Sequence, residues 1–248
     1  MKLLISVRDE DEAAAAVAGG ADIVDIKNPD EGSLGAQQPH VIAAIAKMIP
    51  PGIAVSASIG DVPNLPGTVA LAGLGAALCG VRFVKVGLLG TQTPAEAARL
   101  LEALSGALMM AKGQVGLVAC AYADADRVGS LDPLLLPHTA APFVEGCMID
   151  TAIKDGRSLF HCLPDAAIAR FIEDCRDRGL ISALAGSLKP EDLGRVIAHG
   201  ADIVGVRGAA CVSGRSSPLS IEKVRALKRS LIAHSPHAHA SPDRFAAR

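Results

Sequence analysis

Short runs of aliphatic residues recur along the chain and alternate with longer segments that carry Ala, Leu and charged residues at helical spacing. The runs are rich in Val and Ile, the β-branched residues that strands favour. They predict eight strands, at residues 3–7, 22–27, 53–58, 82–86, 116–121, 147–150, 181–185 and 202–207. The segments between them predict helices, among them residues 9–18, 94–108, 164–178 and 191–199.

A strand that alternates with a helix predicts parallel pairing through right-handed crossovers. Eight such units in 248 residues favour a single (β/α)8 TIM barrel, with a doubly wound open sheet as the alternative. Residues 20–27 and 200–207 resemble each other, as expected for a repeated unit in which a helix ends at glycine and a strand follows. No linker divides the chain, so we expect one catalytic domain over residues 1–232. The polar tail, residues 233–248, contains two prolines and three histidines and is predicted to be disordered.

Composition narrows the classes of partner. Half of the residues are apolar, but only 2% are aromatic, and the net charge is −2 with dispersed lysines and arginines, so we expect neither a nucleic-acid nor a membrane partner.

The first apolar run is interrupted at Arg8, too early for a signal peptide, and a cytoplasmic protein is expected. The longest apolar stretch, residues 69–81, is too short to span a bilayer and predicts a buried helix. The six cysteines show no C-x-x-C spacing, so we expect reduced thiols and no metal site.

Charged residues fall on one face of the predicted strands. Side chains of a strand alternate between its two faces, and the outer face of a barrel packs against helices and is apolar. Val24 and Ile26 are therefore expected to face outward, which turns Asp25 and Lys27 inward. The same alternation places further residues inside the barrel, namely Ser56, Ser58, Phe83, Lys85, Asp150 and Arg207.

The inward charges converge near the carboxyl-terminal rim, where barrels of this kind carry their active sites. One interpretation is a structural plug made of the ion pairs Asp25–Lys27 and Lys85–Asp150. The other is lysine chemistry, because a neutral amine attacks carbonyl carbon, and burial and neighbouring cations favour the neutral form. Lys27 would be the nucleophile, Lys85 and Lys154 the neighbouring cations, and Asp25 and Asp150 the groups that orient them and move protons.

Two glycine-containing turns follow the last two predicted strands. The first contains Gly186 and Ser187, and the second contains Arg207, Gly208 and Ala209. Glycine lets backbone N–H groups approach an anion closely, and phosphate sites recur after strands seven and eight of this fold. The two turns are therefore predicted to bind phosphate, with a plain tight turn as the alternative.

Seven segments resemble the (5-formylfuran-3-yl)methyl phosphate synthase family and together extend over about residues 1–228. They are GADIVDIKNP (20–29), EGSLGA (31–36), GDVP (60–63), VKVGL (84–88), YADA (122–125), DTAIKDG (150–156) and GVRGAAC (205–211). The segments are long and occur in the family's order, so the resemblance is more specific than any single spacing.

The resemblance implies a (β/α)8 barrel that condenses two glyceraldehyde 3-phosphate molecules to 4-(hydroxymethyl)-2-furancarboxaldehyde phosphate, with loss of phosphate and water. Such a carbon–oxygen lyase would serve the biosynthesis of methanofuran-type C1 carriers and would need no metal or cofactor. It implies that Lys27 forms a Schiff base, that Lys85 accepts a proton, and that Asp25, Asp150 and Lys154 support the chemistry.

Two other functions remain as alternatives. The first is a class I aldolase or an isomerase that acts on triose phosphates through the same lysine. The second is a barrel that binds a phosphorylated metabolite without catalysis. The Ala-rich helices are compatible with a homo-oligomer but also suit the packing of helices on strands.

Overall fold

Eight parallel strands form a closed barrel in the computed structural model, which describes residues 1–111 and 113–233. The strands are β1 (Lys2–Val7), β2 (Ile23–Ile26), β3 (Ala54–Asp61), β4 (Phe83–Gly87), β5 (Gly116–Tyr122), β6 (Gly146–Asp150), β7 (Ile181–Leu184) and β8 (Ile203–Val206). Each strand pairs with the next, and β8 pairs with β1 to close the ring. The predicted (β/α)8 barrel is confirmed, and the open-sheet alternative is wrong.

Helices surround the barrel and follow the predicted segments closely. They are α1 (Glu10–Gly19), α2 (Pro39–Met48), α3 (Pro66–Leu78), α4 (Pro94–Leu108), α5 (Ala125–Val128), α6 (Leu136–Ala140), α7 (Leu159–Cys162), α8 (Asp165–Asp177), α9 (Leu193–His199) and α10 (Ile221–Ala233). Short 3-10 turns occupy Pro29–Glu31, Pro133–Leu135, Pro190–Asp192 and Gly208–Ala210.

The two glycines that were expected to end helices do so. Gly20 follows α1 with a φ of 92°, and Gly200 follows α9 with a φ of 74°, both in the left-handed region that glycine adopts without strain. Each turn then leads directly into a strand. The last helix, α10, ends at Ala233, one residue inside the predicted tail. The rest of that prediction, residues 234–248 with the three histidines, lies outside the described residues.

The alternation of side chains along the strands is as expected. Val24, Ile26 and the equivalent residues of other strands pack between the barrel and its helices, in the large core cluster. The opposite face fills the lower part of the barrel interior with a second apolar cluster that includes Leu4, Ile23 and Met148. The interior is therefore apolar at its base, and polar side chains begin toward the carboxyl-terminal mouth.

The uncharged helix α3 differs from the prediction. The stretch 69–81 was expected to form a buried helix, but α3 buries only one face. Its outer side chains Leu71 and Leu78 are 74% and 67% exposed. This follows from its position in the outer ring of the barrel, where only one side of a helix meets the strands. Over residues 1–111 and 113–233, the helices are all too short or too polar to cross a membrane.

Candidate active site

A cavity of about 380 Å³ opens at the carboxyl-terminal mouth of the barrel. Its walls are the end of β2, the segment after β6 and the turns after β7 and β8. The predicted site residues that line it are Lys27, Asp150, Lys154, Gly186, Ser187, Arg207, Gly208 and Ala209. Asp25 and Lys85 are buried deeper in the barrel. The structure thus brings the predicted residues to one end of the fold.

Asp25 is the centre of a buried hydrogen-bond cluster. Its two carboxylate oxygens accept from Ser6 Oγ at 3.1 Å, Ser56 Oγ at 2.6 Å and Lys85 Nζ at 2.8 Å. The strand register explains this arrangement, because Ser6, Asp25 and Ser56 are paired neighbours on β1, β2 and β3. A buried ion pair needs such additional hydrogen bonds to offset the loss of hydration. Three donors therefore hold the carboxylate in position.

Asp150, at the end of β6, forms the second ion pair. Lys154 Nζ lies 2.6 Å from Asp150 Oδ1 and 3.1 Å from Thr151 Oγ1, and the Thr151 amide donates to the same carboxylate at 2.7 Å. Burial alone would raise the pKa of Asp150, but the ammonium groups of Lys154 and Lys27 lower it to about 2. Asp150 is consequently an anion over the physiological pH range.

These partners differ from those of the structural plug. The plug required Asp25–Lys27 and Lys85–Asp150, whereas the ion pairs are Asp25–Lys85 and Asp150–Lys154. Each carboxylate is thus paired with a lysine different from the one that the plug requires. Among the residues that the structure describes, no carboxylate lies within ion-pair distance of Lys27.

Lys27 is the buried amine of the cavity. The residue is 6% exposed, and its Nζ donates to the carbonyl of Ser33 at 3.0 Å. Burial lowers the pKa of Lys27 to about 8, since an ammonium loses hydration there. Asp150 and Asp25 oppose this change, and Lys85 adds to it. About one tenth of Lys27 is therefore neutral at pH 7, and only the neutral amine is a nucleophile.

The loop between β2 and α2, residues 27–38, carries the acceptor of Lys27 and is called the β2 loop below. Ser33 Oγ donates to the carbonyl of Thr151 at 2.8 Å, which ties the loop to β6 across the mouth. The Leu34 amide donates to Asp61 Oδ2 at 3.2 Å. These bonds fix the carbonyl that receives the Lys27 amine.

Asp61 and Tyr122 were not among the predicted site residues. Asp61 ends β3, Tyr122 ends β5, and the buried phenol donates a hydrogen bond to Asp61 Oδ1. Burial, followed by the charge of Asp61, raises the pKa of Tyr122 well above its usual range, so the phenol stays protonated. A side chain at Gly87 would overlap both groups. Tyr122 is the only tyrosine of the chain, at a strand end and on the inward face, a pattern that could have identified it.

The turn after β7 has an unusual backbone. Gly186 has a φ of 110°, and Ser187, with a φ of 49°, is the one non-glycine residue with positive φ in residues 1–111 and 113–233. A side chain on residue 186 would lie about 3.1 Å from the Thr151 amide nitrogen. Strained backbone of this kind clusters at functional sites, so the geometry favours a ligand-binding turn over a plain one.

In the turn after β8, Arg207 was predicted to bind phosphate, but its side chain is already engaged by other groups of the protein. Its guanidinium donates to Glu12 of α1 at 2.7 and 3.2 Å, to the Ser6 carbonyl at 3.0 Å and to the Arg215 carbonyl at 2.8 Å. Four of its five N–H groups are thereby occupied. Of this turn, the amides of Gly208 and Ala209 at the cavity wall are the better anion donors. Glu12 was missed because a helical glutamate gives no sign of burial in the sequence.

Similarity to a known protein family extends over nearly the whole described chain. A model described as 4-HFC-P synthase matches residues 3–228, which is nearly all of the described chain. The chain belongs to this family. It is therefore a member of an enzyme family, and the resemblance given by the seven sequence segments is confirmed.

Relatives with the same enzyme name support the family assignment. The (5-formylfuran-3-yl)methyl phosphate synthase of Methanococcus aeolicus is 48% identical over 226 residues, which cover 90% of this chain and 95% of the relative. That of Methanopyrus kandleri is 50% identical over 214 residues, covering 86% and 90%. That of Methanocaldococcus jannaschii is 45% identical over 233 residues, covering 92% and 98%.

Solved structures of low identity share the fold. Phosphoribosyl anthranilate isomerase from Thermus thermophilus has a TM-score of 0.62 at 17% identity, covering 94% of this chain and 99% of that one. A 3-hexulose-6-phosphate synthase has a TM-score of 0.61 at 19% identity, covering 92% and 99%. These similarities show the barrel alone.

Proposed function

We propose that the chain condenses two molecules of glyceraldehyde 3-phosphate to 4-(hydroxymethyl)-2-furancarboxaldehyde phosphate through a Schiff base on Lys27. The observation that carries this proposal is the buried Lys27 amine, which faces the cavity and has a pKa of about 8. The names of the relatives support the product, a furan aldehyde phosphate. The reaction would supply a precursor of methanofuran-type C1 carriers.

Lys27 performs the first step in this mechanism. Its neutral amine attacks the aldehyde carbon of one triose phosphate, and loss of water gives a protonated imine. The positive nitrogen then draws electrons from the neighbouring C2 and acidifies its proton. The Ser33 carbonyl, 3.0 Å from Lys27 Nζ, orients the amine before attack.

Lys85 accepts the C2 proton, and Asp25 supports it. The two groups lie 2.8 Å apart, so Lys85 can pass one of its protons to Asp25 and take up the proton from C2. Ser6 and Ser56 hold Asp25 in place during this exchange. Lys154, hydrogen-bonded to Asp150 at the cavity wall, donates a proton to the departing oxygen.

The enamine formed in this way expels phosphate. Its electrons shift toward C3, the C3–O bond breaks, and phosphate leaves with the electron pair. The second triose isomerises from aldehyde to ketone, and C3 of the bound triose adds to its central carbon. Ring closure through the terminal hydroxyl of the second triose, loss of water and release from Lys27 then give the furan. Overall, two triose phosphates yield one furan aldehyde phosphate, one phosphate and two water molecules. The turns after β7 and β8 hold the phosphate that the product retains.

Incubation of the chain with glyceraldehyde 3-phosphate tests the proposal. We expect a chromophore in the near ultraviolet, release of phosphate, and a borohydride-reduced adduct on the peptide that contains Lys27, identified by mass spectrometry. Lys27→Met should abolish all three, whereas Lys47→Met, on an exposed position of α2, should retain them. Carbon–carbon bond formation without a furan would instead indicate an aldolase. Binding without an adduct would indicate a non-catalytic barrel.

A further inference from the structure

The proposed reaction brings two phosphate groups into one cavity, and the turns after β7 and β8 account for one of them. Arg215 lines the same cavity from the segment that joins the β8 turn to α10. It is half-buried, and its guanidinium has no carboxylate partner within ion-pair distance among the described residues.

The backbone of Arg215 is fixed in position. Its carbonyl accepts from Arg207 Nε at 2.8 Å, and Arg207 is itself held by Glu12 in a buried ion pair. Arg8 Nη1 donates to the next carbonyl but at a longer distance, 3.4 Å to Ser216. The Arg215 side chain passes close to Gly208, since a Cβ on that glycine would lie 4.0 Å from Arg215 Cβ. The side chain therefore starts at the β8 turn.

The guanidinium of Arg215 ends at the β2 loop. Its Nη2 donates to the Gly32 carbonyl at 3.2 Å and more weakly to the Pro29 carbonyl at 3.4 Å. Lys27 donates to the carbonyl of Ser33, the next residue along the loop. Successive residues are about 3.8 Å apart between Cα atoms, so the two cationic groups lie near each other on one loop.

Two donors of Arg215 remain. Nε and Nη1 have no hydrogen-bond acceptor in the part of the chain that the structure describes. A guanidinium that is anchored through one nitrogen and bears N–H groups on the others is suited to the oxygens of a phosphate. In a triose attached through C1 to Lys27, three carbon atoms separate the lysine nitrogen from the phosphate oxygen on C3. Lys27 and Arg215 bond to the carbonyls of adjacent residues, Ser33 and Gly32, so both ends of such a short molecule meet the β2 loop.

We propose that Arg215 binds the phosphate of the triose attached to Lys27, the phosphate that the reaction expels. This assignment rests on the proposed function. The cavity then has two anion subsites: the backbone turns after β7 and β8 hold the retained phosphate, and Arg215 holds and neutralises the departing one. A structural role is the alternative, in which Arg215 only joins the β8 segment to the β2 loop.

Comparison of two aldehydes separates these roles. Rates of borohydride trapping at Lys27 are measured with glyceraldehyde 3-phosphate and with glyceraldehyde, which lacks the phosphate. For Arg215→Met we expect the trapping rate with the phosphorylated aldehyde to fall roughly tenfold or more, and the rate with glyceraldehyde to stay within about twofold. Arg215→Lys, which keeps the charge but loses the planar fork, should fall between the two.

The control is Arg8→Met. This variant removes the bond from Arg8 to the Ser216 carbonyl, beside Arg215, but Arg8 does not line the cavity. It should leave the preference for the phosphorylated aldehyde unchanged. Equal losses with both aldehydes in Arg215→Met, or an unchanged preference, would overturn the assignment while the imine on Lys27 stands. A wild-type chain that traps neither aldehyde contradicts the proposed function itself, and the assignment of Arg215 with it.

Discussion

The basicity of Lys27 allows the covalent step to be tested quantitatively, with pH as the perturbation. Burial lowers the pKa of this lysine from 10.5 to about 8, and only the neutral amine attacks an aldehyde. With a pKa of about 8, the neutral fraction rises from about one tenth at pH 7 to about nine tenths at pH 9, a gain of roughly tenfold. A lysine of ordinary basicity would rise from about 0.03% to about 3%, a gain of roughly 100-fold without a plateau.

The assay is the initial rate of adduct formation at Lys27 with glyceraldehyde 3-phosphate below saturation, between about pH 6.5 and pH 10.5. Aliquots enter excess borohydride buffered at one common pH, so that the reductant contributes no pH dependence of its own. We expect a rate that rises with pH, has its midpoint near 8 and levels off above about pH 9. A rate that still climbs about tenfold between pH 8 and pH 9 would show that Lys27 keeps its ordinary basicity.

Two further predictions concern the groups that surround this amine. Asp25→Asn should lower the free energy of unfolding, measured in urea, by about 3–5 kcal/mol, because the Lys85 ammonium would stay buried without its counter-charge. The double variant Asp25→Asn with Lys85→Met removes that unpaired charge and should recover part of the lost stability. Tyr122→Phe should lower the free energy of unfolding by about 1–3 kcal/mol, because the Asp61 carboxylate would lose its buried hydroxyl donor.

Specific results would contradict these two expectations. A double variant less stable than Asp25→Asn alone would mean that Lys85 stabilises the barrel through packing rather than through its charge. A Tyr122→Phe variant that unfolds at the wild-type urea concentration would show that the bond to Asp61 adds nothing to the stability of the fold.

The eight strands and the inward direction of the candidate site residues on them could be predicted from local pattern. Alternation has a period of two, so the apolar Val24 and Ile26 force Asp25 and Lys27 to the opposite face. Two helix ends could also be predicted from neighbouring residues alone, because Gly20 and Gly200 adopt a left-handed conformation that few residue types other than glycine tolerate.

The partners of the charged residues could not be predicted in this way. Asp25 meets Ser6 and Ser56 through the register of three strands that are far apart in sequence, and no single strand encodes that register. Arg207 lies one residue beyond β8, with a φ of −129° and a ψ of −65°. Strand alternation no longer applies at such a position, and the side chain turns to Glu12.

The pairing of Asp25 with Lys85 and of Asp150 with Lys154 has an electrical consequence. Each carboxylate is matched by one ammonium, so these four groups sum to zero when the Lys27 amine is neutral. Formation of a protonated imine then leaves one surplus positive charge in a poorly hydrated space. A sugar phosphate brings the compensating negative charge with it, whereas an uncharged aldehyde does not. The substrate phosphate thereby offsets the positive charge of the imine together with that of the Arg215 guanidinium, which lines the same cavity.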